Sequence, residues 1–204
     1  MPSKTIYQGA EAIIYQKDSM VVKDRIAKSY RLKQLDEQIR TQRTRRETKL
    51  LLKASELINC PKPEKSKDKT KIKMPFIKGK KLSEHLDKLS EKTQKQTCIE
   101  IGKTIAKLHD NSIIHGDLTT SNIILDNDNK VNFIDFGLGF HSSRIEDKAV
   151  DIHLIKQALE AKHFENWKEH YKNILQGYKS SENYKKTLEQ LEKVEARGRY
   201  KNKQ

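Results

Sequence analysis

The feature that most constrains this chain is the placement of polar residues around two short apolar runs between positions 115 and 137. The segment 115–122 reads His-Gly-Asp-Leu-Thr-Thr-Ser-Asn. Two apolar runs follow, separated by an Asp- and Asn-rich turn at 126–129, and the second run leads into Asp-Phe-Gly at 135–137. This order predicts a loop, a strand, a tight turn and a second strand, with carboxylates at both ends.

These polar groups suit phosphoryl transfer. In such a site one Asp orients the attacking hydroxyl, while an Asn and a second Asp hold the Mg²⁺ ions that bridge the ATP phosphates. Asp117 and Asn122 have the spacing of a protein-kinase catalytic loop, and Asp135 stands where the metal-binding Asp of Asp-Phe-Gly belongs. We therefore expect Asp117 to be catalytic and Asn122 and Asp135 to bind magnesium. A surface hairpin with acidic turns is the alternative, but it does not explain why the polar groups cluster at the strand ends.

Two residues upstream are candidates for phosphate contacts. An apolar run at 20–22 predicts a strand that ends at Lys23, from which a lysine can project into a cleft. The charged segment 32–58 predicts a helix that contains Glu47. In a kinase fold a helix glutamate pairs with the strand lysine and fixes it against the phosphates. We expect this pairing for Lys23 and Glu47; the alternative is that Glu47 is a solvated helix charge beside Arg43.

The segment 74–79, Met-Pro-Phe-Ile-Lys-Gly, predicts a strand end and a linker between two lobes. Adenine would contact the backbone here, so Met74, Pro75 and Ile77 are candidate ATP-binding residues. Pro75 has no N–H but its carbonyl can accept a hydrogen bond, and Ile77 can donate its N–H. An ordinary strand end is the competing interpretation. From position 82 onward the pattern is mostly helical.

Composition bears on the partners and the compartment. Lys and Arg total 42 against 28 Asp and Glu, which gives a net charge of +14 in 204 residues. Such a balance favours polyanionic partners, nucleic acid first, although a lysine-rich proteome would produce the same excess. The two cysteines do not form a metal-ligand pair, the first residues lack the apolar core of a signal peptide, and no apolar run approaches the ~20 residues of a membrane span. We expect a cytoplasmic protein without a membrane partner.

The chain resembles the small atypical kinase subunits of the KEOPS complex, the PRPK family, over nearly its whole length. The motifs that carry this resemblance are Gly-Ala-Glu-Ala at 9–12, Val-Lys-Asp-Arg at 22–25, Lys-Ser-Tyr-Arg at 28–31, Arg-Thr-Arg-Arg-Glu at 43–47, the loop at 115–122, Glu-Asp-Lys-Ala-Val-Asp at 146–151 and Arg-Gly-Arg at 197–199.

The resemblance implies an α+β, minimal two-lobed protein-kinase-like fold. It implies a β-rich N-lobe at 1–77, a helical C-lobe at 78–196 and a basic tail at 197–204. It further implies ATP and Mg²⁺ as cofactors and serine/threonine kinase and ATPase activity. The expected partners are a sialoprotease-like catalytic subunit, a small regulatory subunit and, through the complex, tRNA that receives the threonylcarbamoyl modification.

The sequence departs from ordinary protein kinases in two segments, the loop that covers the phosphates and the segment that docks a peptide substrate. There is no Gly-x-Gly-x-x-Gly loop, so Gly9, Ala10 and Glu11 would cover the phosphates in another way. The segment after Asp-Phe-Gly is too short for a substrate-docking activation loop. We expect His115 to stabilise the catalytic loop and Asp151 to hydrogen-bond its backbone. Two alternatives remain: a RIO-type, RNA-associated kinase and a pseudokinase scaffold that needs no turnover.

Overall fold

The computed structural model describes the backbone of residues 4–201 and the side chains of residues 4–197. Within that range the strands are β1 (Lys4–Gln8), β2 (Ala12–Lys17), β3 (Met20–Arg25), β4 (Lys71–Pro75), β5 (Gly79–Lys81), β6 (Ile113–Ile114), β7 (Ile123–Asp126), β8 (Val131–Phe133) and β9 (Phe140–His141). The helices are α1 (Lys33–Ala54), α2 (Leu82–His85), α3 (Glu91–Asp110), α4 (Ile145–Lys162), α5 (Trp167–Tyr178) and α6 (Tyr184–Lys201), with single 3₁₀ turns at Leu86–Lys88 and Thr120–Asn122.

Strands β1 to β4 form one antiparallel sheet in sequence order. Strand β3 is central, since Lys23 pairs with Ile14 of β2 on one side and with Ile72 of β4 on the other. Alternate side chains of a strand share one face. In β3 the buried face carries Val21, Lys23 and Arg25. The sheet therefore buries the two cationic side chains of Lys23 and Arg25, which need anionic partners there.

Helix α1 packs against this buried face. Its buried residues include Thr44, Glu47, Leu50, Leu51 and Ala54, which recur at the three- and four-residue spacing of one helix face. Leu50 and Leu51 belong to the main hydrophobic core. Glu47 lies on the same stripe and is only 2% exposed, so its carboxylate is carried into the interior between the sheet and the rest of the molecule.

Helices α3 and α5 approach each other very closely in the C-terminal part. A Cβ atom on Gly102 would lie 1.9 Å from the carbonyl oxygen of Ile174, and one on Gly177 would lie 2.0 Å from the carbonyl oxygen of Ile99. Any larger residue at either glycine would push the helices apart. Their tight contact makes a rigid base under the loop that follows α3.

A small sheet of β5, β7 and β8 carries the polar segment of the sequence. Strands β7 and β8 pair antiparallel, with Ile123 opposite Phe133 and both side chains fully buried. The predicted strand–turn–strand unit is thus confirmed, with the catalytic loop entering β7 and Asp-Phe-Gly leaving β8. Among residues 4–201, none of the helices combines the length and apolarity needed to cross a bilayer.

The last helix differs from the sequence-based prediction. The resemblance implies a separate basic tail at 197–204, but α6, which begins at Tyr184, continues to Lys201. Residues 202–204 of the predicted tail lie outside the described residues. The predicted lobe boundary near residue 77 stays a prediction; α1 ends at Ala54, the four-stranded sheet ends at Pro75, and helices α2 to α6 follow from Leu82.

Candidate active site

The loop between β6 and β7 holds Asp117 in a defined orientation. The Nδ2 atom of Asn122 donates to the backbone oxygen of Asp117 and to its carboxylate Oδ2, both at 2.9 Å. The 3₁₀ turn at Thr120–Asn122 brings the amide back toward the aspartate. The predicted pair therefore meets, and with both bonds made by Nδ2 the amide oxygen of Asn122 is the atom available for a metal.

Asp151 anchors the start of this loop from helix α4. Its carboxylate accepts the backbone N–H of His115 at 2.7 Å and that of Gly116 at 2.9 Å, and Nε2 of His109 lies 3.3 Å away. Burial alone would raise the pKa of Asp151, but its hydrogen bonds with the His109 side chain and the His115 backbone N–H outweigh burial and lower it. The predicted structural role of Asp151 is confirmed.

His115 is buried and neutral. The N–H of Asp117 donates to its Nδ1 at 3.3 Å, so the ring proton is on Nε2, which lies 3.1 Å from the carbonyl oxygen of Ile134. Burial lowers the pKa of His115 despite nearby carboxylates. Its ring also packs against that of Phe136, with centroids 4.6 Å apart. As predicted, His115 stabilises the loop; it couples the loop to the strand that precedes Asp135.

Lys23 joins two carboxylates from distant parts of the chain. Its Nζ lies 2.7 Å from Oε1 of Glu47 and 2.7 Å from Oδ1 of Asp135. Burial alone would lower the pKa of Lys23, but the two carboxylates outweigh burial and raise it. Burial would likewise raise the pKa of Asp135, and the charge of Lys23 lowers it. Lys23 and Asp135 therefore stay charged near neutral pH. Glu47 is only 2% exposed, so the interpretation of Glu47 as a solvated helix charge is wrong.

Arg25 is a member of this ion cluster that the sequence reasoning missed. Its Nη2 lies 2.5 Å from Oε2 of Glu47, so the glutamate binds one cation through each oxygen. The signal was present in the sequence: residues 23 and 25 lie two apart on a strand, so both must point to the same face. Glu47 thus fixes α1 to β3 at two adjacent points.

The backbone conformation at Asp-Phe-Gly, residues 135–137, positions the Asp135 carboxylate beside Lys23. Asp135 has a φ of +62°, in the left-handed region that Asp tolerates better than most residues. Its Oδ1 accepts from Lys23 and from the N–H of Gly137 at 3.1 Å, so Oδ2 is free of both. A Cβ on Gly137 would lie 2.9 Å from Oδ1 of Asp135 and 3.2 Å from Nζ of Lys23. Only glycine leaves these charged groups in place.

An open cleft of about 550 Å³ lies over the cluster. Its lining comprises Tyr7, Gly9, Ala10, Glu11, Ala12, Lys23, Arg25, Arg43, Arg46, Asp117, Asp135, Gly137, Leu138, Gly139 and Phe140. Six of the predicted site residues therefore share one cleft. Of the other predicted site residues, Glu47 and Asn122 contact this set from behind, whereas Met74, Pro75 and Ile77 lie outside the lining.

The loop over the cleft is built without a glycine-rich motif. The N–H of Gly9 donates to the carbonyl of Ala12 at 3.0 Å and closes a turn between β1 and β2. Side chains then tie the turn down: Lys28 donates to the carbonyl of Ala10, and Arg43 of α1 pairs with Glu11. Nucleotide contacts by these residues, and by the hinge residues Met74, Pro75 and Ile77, remain predictions.

The comparisons with known proteins agree with this geometry. A family model described as "Protein kinase domain" matches residues 4–151. The solved structure of a Rio2 kinase–ADP/Mg²⁺–phosphoaspartate complex from Chaetomium thermophilum is similar with a TM-score of 0.59 and 16% sequence identity, and the match covers 96% of this chain and 70% of that one. At this identity the likeness shows the protein-kinase-like fold, as predicted.

Curated relatives narrow the assignment. A "KEOPS complex subunit Bud32" from Pyrococcus abyssi is 38% identical, with 97% of this chain and 96% of the relative covered. A "Probable serine/threonine-protein kinase BUD32 homolog" from Archaeoglobus fulgidus is 35% identical, with 96% and 95% covered. A "Probable bifunctional tRNA threonylcarbamoyladenosine biosynthesis protein" from Methanococcus maripaludis is 37% identical, and the match covers 98% of this chain but 37% of that longer protein. Together with the kinase-like site, these full-length matches show that the chain belongs to the Bud32 family of protein-kinase-like proteins.

Proposed function

We propose that this chain binds Mg²⁺ and ATP and transfers or hydrolyses the γ-phosphate as a subunit of a tRNA-modifying KEOPS complex. One observation carries the proposal: Lys23 is held by Glu47 and Asp135 at the floor of a cleft that also contains Asp117. Phosphoryl transfer requires the lysine–glutamate pair and the metal-binding aspartate to be in place together. A protein without turnover has no need of all of them.

The donor set fits magnesium. Oδ2 of Asp135 and the amide oxygen of Asn122 take no part in the hydrogen bonds described above, and Mg²⁺ prefers such oxygen ligands. Its chemistry at this position is to neutralise charge on the phosphate oxygens. Lys23 would contact the same phosphates, with Glu47 and Arg25 keeping it in position. The left-handed turn at Asp135 directs the carboxylate toward this place.

Asp117 is the residue that would orient the nucleophile. Its carboxylate is fixed by Asn122 and faces the cleft, so it can accept a proton from a hydroxyl or from water. The segment that would hold a peptide substrate is reduced to residues 138–144, between Gly137 and α4. Such an open site suits water or a single seryl hydroxyl as the acceptor better than a peptide that must be bound along its length.

The remaining nucleotide contacts are assigned by position. We place the phosphates under the turn formed by Gly9, Ala10 and Glu11, which lines the cleft. We place adenine against the hinge, with the carbonyl of Pro75 and the N–H of Ile77 as hydrogen-bonding groups and Met74 as an apolar contact. The N–H of Phe76 donates to the carbonyl of Ser19 at 2.9 Å, which ties the hinge to the turn before β3.

We assign the partners from the relatives. One relative is named as a subunit of the KEOPS complex, and in another a match to this chain is fused to a longer protein named for threonylcarbamoyladenosine biosynthesis. Fusion indicates that the two parts work together. We therefore propose a sialoprotease-like catalytic subunit and a small regulatory subunit as direct partners, with tRNA bound through the complex. The charge of +14 favours such an RNA-bound setting.

The deciding experiment measures ATP turnover and protein phosphorylation by the wild type and by Asp117→Asn, each with and without the sialoprotease-like subunit and tRNA. We expect Mg²⁺-dependent turnover that requires Asp117 and changes when the partner is added. Strong phosphorylation that is indifferent to the partner would indicate a free-standing kinase. Absence of turnover in every mixture would contradict the proposal and favour a scaffold.

A further inference from the structure

A second cluster of ligand-type side chains lies on the far side of the catalytic loop. Asp87, in the 3₁₀ turn after α2, is approached by two histidines from separate helices. Oδ2 lies 2.5 Å from Nδ1 of His163, the residue that ends α4, and Oδ1 lies 2.9 Å from Nε2 of His170 in α5. One ligand atom from each residue falls within 4.8 Å of the others. The cluster takes no part in the phosphoryl-transfer site described above.

The two imidazoles are unusually placed for surface histidines. Both are about 2% exposed, and they meet at an edge-on angle with centroids 5.9 Å apart, so neither stacks on the other. Each directs a ring nitrogen at the same carboxylate, whose side chain is 39% exposed. Two buried nitrogens and a partly exposed carboxylate between them are the ligand types of a metal ion that keeps one position for water.

The distances require little change to accept an ion. Ligands of a tetrahedral Zn²⁺ lie about 3.3 Å from one another when the bonds are about 2.0–2.1 Å long. The contacts of Asp87 with the histidines, at 2.5 and 2.9 Å, are shorter than that, so its partly exposed carboxylate must rotate to make room for the ion. A polar cleft of about 250 Å³, lined by His170, Gln94, Glu169 and Asn173 among others, borders one of the three side chains, His170.

One histidine also has the outer hydrogen bond that metal-binding histidines require. Nε2 of His163 lies 3.2 Å from the hydroxyl oxygen of Thr120, which is itself fully buried in the catalytic loop. Such a partner fixes the ring orientation and the tautomer of a ligating imidazole. Nitrogen-rich sites of this kind favour Zn²⁺ and its neighbours over Mg²⁺, which prefers oxygen.

We propose that Asp87, His163 and His170 form a binding site for a divalent transition metal of the Zn²⁺ class, separate from the magnesium site of the cleft. The ligand atoms are a carboxylate oxygen, Nδ1 of His163 and Nε2 of His170. With a metal on Nδ1, the ring proton of His163 must sit on Nε2 and is donated to Thr120. This hydrogen bond links the metal site directly to the catalytic loop that carries Asp117.

The test is a titration of chelator-treated protein with Co²⁺ and then Zn²⁺, in excess Mg²⁺ and without nucleotide. Mg²⁺ occupies carboxylate-only positions, and the visible absorption of tetrahedral Co²⁺ reports nitrogen and oxygen ligation. We expect one ion per chain in the wild type and an affinity reduced by about 100-fold or more in His170→Gln. His141→Gln removes an exposed histidine from β9 and should leave metal affinity unchanged.

Equal binding by the wild type and His170→Gln, or no binding by the wild type, would overturn the proposal. If His170→Gln does not fold, Asp87→Asn is the second probe, because that side chain is partly exposed. Thr120→Val tests the outer hydrogen bond by metal affinity alone, with an expected loss of about 10-fold. An unchanged affinity in Thr120→Val would disprove the link between the metal and the catalytic loop.

Discussion

The Nζ atom of Lys23 lies 2.7 Å from Oδ1 of Asp135, although 112 positions of sequence separate the two residues. The same nitrogen binds Glu47 of α1 at 2.7 Å. A strand, a helix and the turn after β8 are thus joined at a single atom. Because Glu47 also holds Arg25, the four residues form one connected network of charges. Substitution of each member leaves a different number of charged side chains without a counter-ion.

Glu47→Gln should destabilise the fold more than Lys23→Met. Loss of the Glu47 charge leaves Arg25 buried without a counter-ion, and breaking such a buried pair costs about 3–5 kcal/mol. Loss of Lys23 leaves Glu47 paired with Arg25, so the expected cost is nearer about 1.5–3 kcal/mol. Urea unfolding of both variants measures the order. Both should lose turnover, and a larger loss of stability in Lys23→Met would show that Arg25 does not compensate Glu47.

Gly137→Ala should reduce turnover while the protein still folds. The added methyl group would crowd Oδ1 of Asp135 at 2.9 Å and Nζ of Lys23 at 3.2 Å. A displacement of catalytic groups by about 1 Å can cost about 100-fold in rate. Steady-state ATP turnover at saturating Mg²⁺, with circular dichroism to check folding, makes the measurement. Wild-type turnover in Gly137→Ala would mean that the charged groups can shift without harm.

Asp151→Asn should weaken both the fold and the catalytic loop. The carboxylate accepts the backbone N–H groups of His115 and Gly116, and hydrogen bonds to a charged group are worth about 1.5–3 kcal/mol. Denaturant unfolding and turnover should therefore fall together. Asp110→Asn is a matched control, because the Asp110 carboxylate accepts from Ser181 and from the N–H of Glu182 rather than from the catalytic loop, and it should leave turnover unchanged. Equal losses of turnover in both variants would argue against a specific role for Asp151.

Acid should destabilise the protein through His115. Burial lowers the pKa of His115 below its ordinary value of 6.5, so the folded state resists the proton that the unfolded state accepts. The contribution is absent above pH about 6.5 and grows as a penalty as the pH falls from there toward the lowered folded-state pKa. Histidine NMR titration of the folded protein checks this. A His115 ring that titrates at or above pH 6.5 would contradict the assignment of a neutral, Nε2-protonated imidazole.

Motif spacing in the sequence was enough to predict the centre of this site. Phosphoryl transfer uses these residue types together. The structure accordingly pairs Asp117 with Asn122 and Lys23 with Glu47, and Asp151 anchors the catalytic loop. The strands β3, β7 and β8 were predicted because apolar runs beside turn residues indicate strands directly.

The remainder depended on tertiary contacts that leave no local pattern. Strands β6 and β9 are two residues long and exist only because they pair with each other. Helix α6 runs past residue 196 although its sequence there is basic, and Arg197 pairs with Glu146 of α4 at 2.7 Å. The cluster of Asp87, His163 and His170 joins residues from three elements, so no spacing rule could have found it.

Seven residues, 138–144, link Asp-Phe-Gly to α4, and two of them pair with the strand before the catalytic loop. Kinases that are switched by phosphorylation rely on a long segment that is ordered in one state and released in the other. A link of seven residues, two of which are paired as a strand, is much shorter than such a segment. We therefore expect the output of the proposed enzyme to depend on how much nucleotide and which partner reach the cleft, rather than on a covalent mark on its own chain.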